Sequence, residues 1–234
     1  MVKRKSGFTL VELLVVIGII AVLISILLPA MKIAKDAANK TRCASDTRQI
    51  VAAIRLYAGD NRGWTAPAPN YGHWEQPLGT PLKMYDSHAY WGIAYLRYAG
   101  NNRSLWICGS ARYMDVDPGY SDNSFETTNL FATYGINCYI TEAKLDRFKK
   151  ASETIVLHDA WEHRLDDNGD FLSYAPDPWS RTNISQYRNV QPLAVGEYYR
   201  HRKYCGVAWL DGHVSFLRES LGADVPRKWY TGAP

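Results

Sequence analysis

The N-terminal apolar run constrains this chain more than any other feature. Phe8 to Leu28 spans 21 residues, of which only Thr9, Glu12 and Ser25 are clearly polar. As a helix rising about 1.5 Å per residue, the run matches the hydrocarbon thickness of a bilayer. Lys3, Arg4 and Lys5 precede it, and no comparable cluster follows directly. Under the positive-inside rule this asymmetry predicts a single pass, with the N-terminus cytoplasmic and the bulk of the chain outside.

Glu12 is the anomaly in the run. On insertion scales a carboxylate inside an apolar helix costs about 2.5–3.5 kcal/mol, so it needs a partner. An uncleaved signal anchor would share the run but gives the carboxylate no purpose. A secretory signal peptide carries its small-residue cleavage site after the run. Leu27-Leu28-Pro29-Ala30-Met31 stands there instead. Cleavage between Gly7 and Phe8 would remove the basic leader and leave a positive α-amino group on Phe8. Glu12 of one copy could then pair with that amine on a neighbour, and an unfavourable charge becomes a register device.

The rest of the chain has a different composition. Thr9 to Leu56 holds no aromatic residue, whereas all eight Trp lie from Trp64 onward. That shift separates an assembly helix from a core-forming domain, which is large enough to bury a core without a metal. Residues 1–7 carry three basic residues and no acidic ones, so without them the formal charge falls from +4 to +1. The basic excess is therefore mostly leader and gives no support for nucleic-acid binding.

Pro29 removes a backbone donor and predicts a kink, after which the helix resumes. Ala30, Ile33, Ala34, Ala37 and Ala38, then Ile50, Ala53, Ile54 and Tyr57, recur at helical spacing. Gly59 to Gly63 ends the helix. Further on, residues 89–98 read as a short aromatic helix and 105–108 as a buried segment. Residues 133–140 and 154–158 read as strands, 161–174 as a hairpin around Asp167-Asn168-Gly169, and 175–200 as a surface insertion. Asp211-Gly212 between alternating apolar runs predicts a two-residue hairpin. It would pair Trp209 with Val214 and Val207 with Phe216 on one core-facing side.

Cys43, Cys108, Cys138 and Cys205 all fall on the outer side, where an even count favours disulfides. Three connectivities are open, as is a set of four buried thiols. Asp159, His201 and Asp211 sit at or near strand ends. They read either as a metal or catalytic cluster or, preferably, as a buried hydrogen-bonded knot with His201 holding the Asp211-Gly212 turn. No metal ligand set is assigned: His158 and His163 miss the spacing of a zinc-protease helix. There is no Gly-x-Ser-x-Gly elbow and no dinucleotide fingerprint. Asp166-Asp167-Asn168-Gly169-Asp170 invites a calcium reading but departs from EF-hand spacing, and a solvated turn is preferred.

Lys5-Ser6-Gly7-Phe8-Thr9-Leu10-Val11-Glu12-Leu13-Leu14-Val15-Val16-Ile17 resembles the leader and N-terminal helix of type IV pilins and type II secretion pseudopilins. The resemblance implies cleavage after Gly7 by a prepilin peptidase, N-methylation of Phe8, and Glu12 as the assembly carboxylate. His201 followed after nine residues by Asp211-Gly212 resembles the H-X9-DG signature of a pseudopilin-like family. Cys43 to Asp46, Tyr57 to Asn61, Trp106 to Cys108 and Ile155 to Asp159 resemble further pieces of that family, with Gly109 standing where a Pro is usual. This second resemblance implies the pairing Cys43 with Cys108 and, with it, Cys138 with Cys205. Related pseudopilins use calcium, which keeps that ion open as a cofactor; none other is expected.

The expected chain is thus α+β and pilin-like, a long N-terminal helix packed on a C-terminal antiparallel sheet. Residues 1–7 form the leader, 8–28 the membrane and assembly helix, 29–59 its amphipathic half, and 60–234 a periplasmic domain. The expected role is a structural, non-enzymatic subunit of a type II secretion or type IV pilus-like filament in the bacterial inner membrane. Its partners are prepilin peptidase, itself and other pseudopilins, with no nucleic acid. The alternative is a membrane-anchored periplasmic binding protein or enzyme acting on a glycan or other extracellular substrate.

Overall fold

The computed structural model describes residues 9–69, 74, 81–87, 89–112, 133–161, 163–166, 172, 192–220 and 225–232. The chain forms two compact units, Met1–Ala38 and Asn39–Pro234. Helix α1 (Leu10–Asp60) supplies residues to both and continues unbroken through Pro29. In the first unit the apolar side chains from Leu10 to Leu28 are all exposed. Ser25 Oγ donates to the Val22 carbonyl at 2.7 Å, so the one hydroxyl in mid-run is satisfied without water. The processing pair Gly7–Phe8 lies outside the described residues.

In the second unit the helix buries one face, carried by Cys43, Ile50, Val51, Ala53, Ile54 and Tyr57. That three-to-four spacing is the helical period the sequence shows. Gly63, at φ +86°, turns the chain at the helix end and donates to the Ala58 carbonyl at 2.7 Å. The expected aromatic helix forms as a 3-10 helix over Trp91–Ala99. Its rings interlock: Trp91 lies 4.9 Å from Tyr90, and Trp74 lies 5.7 Å from Trp106. Gly92 is required here, because a Cβ would sit 2.5 Å from the Trp106 indole nitrogen.

Five strands occur among the described residues: β1 (Tyr134–Asn137), β2 (Ile155–Asp159), β3 (Arg164–Leu165), β4 (Tyr204–Trp209) and β5 (Val214–Arg218). They form one sheet in the order β3-β1-β2-β4-β5. Both faces are covered. One faces the helix α1 residues and the aromatic 3-10 helix. The other faces Tyr198 of α2 (Pro192–Tyr198) and Tyr230 of α3 (Lys228–Thr231). Burial on two sides explains why β1 and β2 bury every residue instead of alternate ones.

Several expectations are corrected. The sheet is mixed, since β3 runs parallel to β1. Asp167 to Phe171, the tip of the expected 161–174 hairpin, lies outside the described residues, and β3 reaches the far edge of β1. The expected surface insertion ends in α2, whose Val195 and Tyr198 are buried in the second core. The Asp211-Gly212 hairpin forms one residue out of the expected register: Ala208 faces Val214 and Gly206 faces Phe216. Trp209 N–H donates to the His213 carbonyl and Gly212 sits at φ +98°, so the loop has three residues with glycine in the positive-φ position. A one-residue slip reverses faces. Val207 and Trp209 therefore enter the second core, while Ala208, Leu210 and Val214 enter the first.

Candidate functional site

Glu12 sits in the first turn of α1. Its carboxylate accepts from the Thr9 N–H and from the Thr9 hydroxyl, both at 2.8 Å, and its own N–H donates back to Thr9 Oγ1 at 3.3 Å. Thr9-Leu10-Val11-Glu12 is a capping box, closing donors that the helix start leaves open. The motif was legible in the sequence as Thr-x-x-Glu. It gives the carboxylate a use within a single chain, so a carboxylate here does not by itself separate a filament subunit from an anchor. Glu12 remains exposed.

Cys43 and Cys108 form a disulfide with Cα atoms 5.5 Å apart. Helix α1 presents Cys43, and the segment after the 3-10 helix Arg103–Trp106 presents Cys108. Asn39 Nδ2 donates to the Gly109 carbonyl at 3.2 Å, and Cys108 N–H donates to Thr133 Oγ1 at 2.7 Å, so the two cysteines are positioned independently of the bond. The Cys138–Cys205 pairing does not form; both remain thiols. The reason is topological. Cys138 follows β1 and Cys205 lies on β4, with β2 between them. Two strand spacings make about 9.6 Å, beyond the roughly 6.8 Å that a disulfide spans between Cα atoms.

The end of β2 and the turn before β4 meet against the disulfide. His201 Nε2 lies 3.4 Å from Cys108 Sγ and 3.5 Å from Asp159 Oδ2. Gly206 N–H donates to Asp159 Oδ2 at 2.6 Å, and Arg200 Nε stands 3.8 Å from Asp159 Oδ1. Arg200 also neighbours Glu197, whose carboxylate accepts from the Arg112 N–H at 3.1 Å. The side chains of Asp159, Arg200 and His201 are each only 1% exposed. Burial lifts the Asp159 carboxyl to about 7 against the pull of Arg200 and the Gly206 N–H. Burial also raises the Cys205 thiol well above its ordinary value and lowers His158 to about 4. His158 Nδ1 pairs with the Asp159 carbonyl at 2.7 Å and its Nε2 pairs with the Tyr230 hydroxyl at 3.0 Å. These groups face one another and not solvent, so their arrangement holds strands and turns together.

Asp211 is not part of this knot. It is exposed, and its carboxylate holds His213 Nδ1 at 2.6 Å and His213 N–H at 3.0 Å. The Asp211-Gly212 turn is thus held by His213 and by Arg55 Nη1, which donates to the Asp211 carbonyl at 3.3 Å, and not by His201. Sequence reasoning placed Arg200 and Glu197 in a featureless insertion. Their i, i+3 spacing before His201 was the available signal.

Residues 2–28 match the family of the prokaryotic N-terminal methylation motif. The chain is 28% identical over 142 residues to the type II secretion system core protein G of Pseudomonas aeruginosa, covering 54% of this chain and 96% of that protein. It is 38% identical over 64 residues to the type IV wide pilus major component PilA4 of Thermus thermophilus, covering 27% of this chain and 49% of the relative. A core protein G of Dickeya chrysanthemi is 35% identical over 83 residues, covering 36% and 50%. The chain spans about half the length of the last two relatives. No solved structure matches the chain. Its N-terminal segment is of the prepilin methylation type, and the similarity is to pilins and pseudopilins.

Proposed function

We propose that this chain is a structural subunit of a type II secretion or type IV pilus-like filament. A prepilin peptidase cuts it after Gly7 and methylates Phe8. The chain waits in the inner membrane with its N-terminus cytoplasmic and its domain periplasmic, then joins copies of itself and other pseudopilins through residues 8–28. The methylation-motif match over residues 2–28 carries this reading. The exposed apolar surface from Leu10 to Leu28 supports it, because packing between helices would cover that surface. The role is structural, a reading supported by the similarity to a secretion-system core protein and a pilus component.

The capping box dictates how the reading is tested. Glu12→Leu removes cap and charge together, so its failure would be ambiguous. Glu12→Gln keeps a side chain that can close the cap and removes only the charge. We expect Glu12→Gln to insert and be processed normally, with intact mass showing loss of Met1 to Gly7 plus one methyl group, but to lose its cross-links to neighbouring subunits. Unimpaired cross-linking of this variant, or an unprocessed mass in the wild type, refutes the assembly reading and favours an anchored domain.

A further inference from the structure

Buried donor atoms crowd the Cys43–Cys108 bond. The Sγ atoms of Cys43 and Cys108 and a ring nitrogen of His201 lie within 4.8 Å of one another, and all three residues are buried. Asp159 Oδ2 stands 3.5 Å from the same His201 Nε2 that approaches Cys108 Sγ at 3.4 Å. A tetrahedral zinc ion with Zn–N and Zn–O near 2.0–2.1 Å and Zn–S near 2.3 Å separates its ligands by about 3.3–3.8 Å along each edge. The edge from His201 Nε2 to Cys108 Sγ and the edge from His201 Nε2 to Asp159 Oδ2 are therefore already near those lengths, and closing the remaining edges takes the parting of the two sulfurs and a side-chain shift of Asp159. We propose that, before the Cys43–Cys108 bond forms, Cys43 Sγ, Cys108 Sγ, His201 Nε2 and Asp159 Oδ2 bind one zinc-class divalent cation.

The chain is synthesised with thiols, and its disulfide is acquired later outside the cytoplasm. In that interval the four ligands are still brought together, because contacts other than the bond hold them. Asn39 ties the Cys108 segment to α1, Thr133 holds the Cys108 N–H, and Gly206 N–H orients Asp159. A side chain at position 206 would meet Asp159 Oδ2 at 3.0 Å, so glycine keeps that oxygen aimed inward. Binding releases the two thiol protons and forms two metal–thiolate bonds, with His201 neutral. The doubly charged cation and Arg200 then offset the two thiolates and the Asp159 carboxylate, while the Glu197 carboxylate beside Arg200 keeps the Arg112 N–H as a donor. Oxidation to the disulfide removes both sulfur ligands, so metal and disulfide are alternative occupants of one site.

The test uses the full chain in detergent micelles with cobalt(II) as the spectroscopic probe. Reduced wild type is expected to take one equivalent, with thiolate-to-metal charge transfer in the near ultraviolet and intense visible bands of tetrahedral cobalt. Zinc should displace it. The oxidised wild type, folded and with both sulfurs bonded, should show neither band. His201→Ala and Asp159→Asn should weaken zinc by more than the roughly 10–100-fold that losing a supporting residue costs, while Cys138→Ser should leave binding unchanged. Absence of a thiolate band in the reduced chain overturns the proposal. So does a band that persists in oxidised protein, or one that Cys138→Ser abolishes.

Discussion

The Cys43–Cys108 bond closes a long loop, with a sequence separation of 65 residues. Replacing both cysteines with alanine leaves folded-state contacts such as the Asn39–Gly109 hydrogen bond in place and chiefly frees the unfolded chain. In the chain-entropy account a closed loop of this length stabilises by about 4 kcal/mol at 25 °C. Domains of this kind have about 5–15 kcal/mol in total, so the variant should be folded but marginal. For a domain of nearly 200 residues the loss corresponds to a melting temperature lower by about 8–16 °C. Urea unfolding of the full chain in micelles, followed by tryptophan fluorescence, reads this directly. Every Trp lies from Trp64 onward, so the signal comes from the domain and not the membrane helix. A loss below about 1 kcal/mol refutes the reasoning, because it would mean that the unfolded chain already holds residues 43 and 108 together. Zinc added to reduced wild type should recover part of the loss by binding only the folded state, and it should do nothing for the double alanine variant.

Asn137 is fully buried and its Nδ2 donates to the carbonyls of Ile155 and Tyr230, each at 2.8 Å. Asn137→Ala removes both of these hydrogen bonds from the core and should cost about 1–3 kcal/mol in the same urea assay. Burial raises the Asp46 carboxyl above its ordinary 3.8, with Arg42 opposing in part. The folded state thus holds that proton more tightly than the unfolded one, giving stability that is complete below pH 3.8 and is lost as pH rises through the folded value. Asp46→Asn should therefore gain on wild type as pH rises to 7, and the two should converge below pH 3.8; a gap independent of pH contradicts this.

What local chemistry dictates was legible without a structure. The Phe8 to Leu28 run needs no tertiary partner to declare itself, because its length and apolarity are set against a bilayer. The helical face of Ile50, Ala53, Ile54 and Tyr57, the strand at residues 155–158 and the hairpin near Asp211 rest on periodicity and turn residues, which act over a few positions. The Thr9–Glu12 cap was equally local. Its signature, Thr-x-x-Glu at the start of an apolar run, spans only four residues.

Tertiary structure decided whatever depends on which strand lies beside which. Whether Cys138 can reach Cys205 turns on β2 intervening between β1 and β4, a neighbour relation invisible in cysteine spacing. Register in the β4–β5 hairpin turned on burial on both faces: Trp209 has a core to enter on one side and Leu210 on the other, so the turn takes a third residue. His201 was drawn to Asp159 and the disulfide and not to Asp211, because the Asp-Gly turn found a partner in His213 two residues along. The sequence by itself determined a membrane helix and the elements of a domain. Only packing, where long-range neighbours compete for the same buried space, decided which polar groups meet inside it.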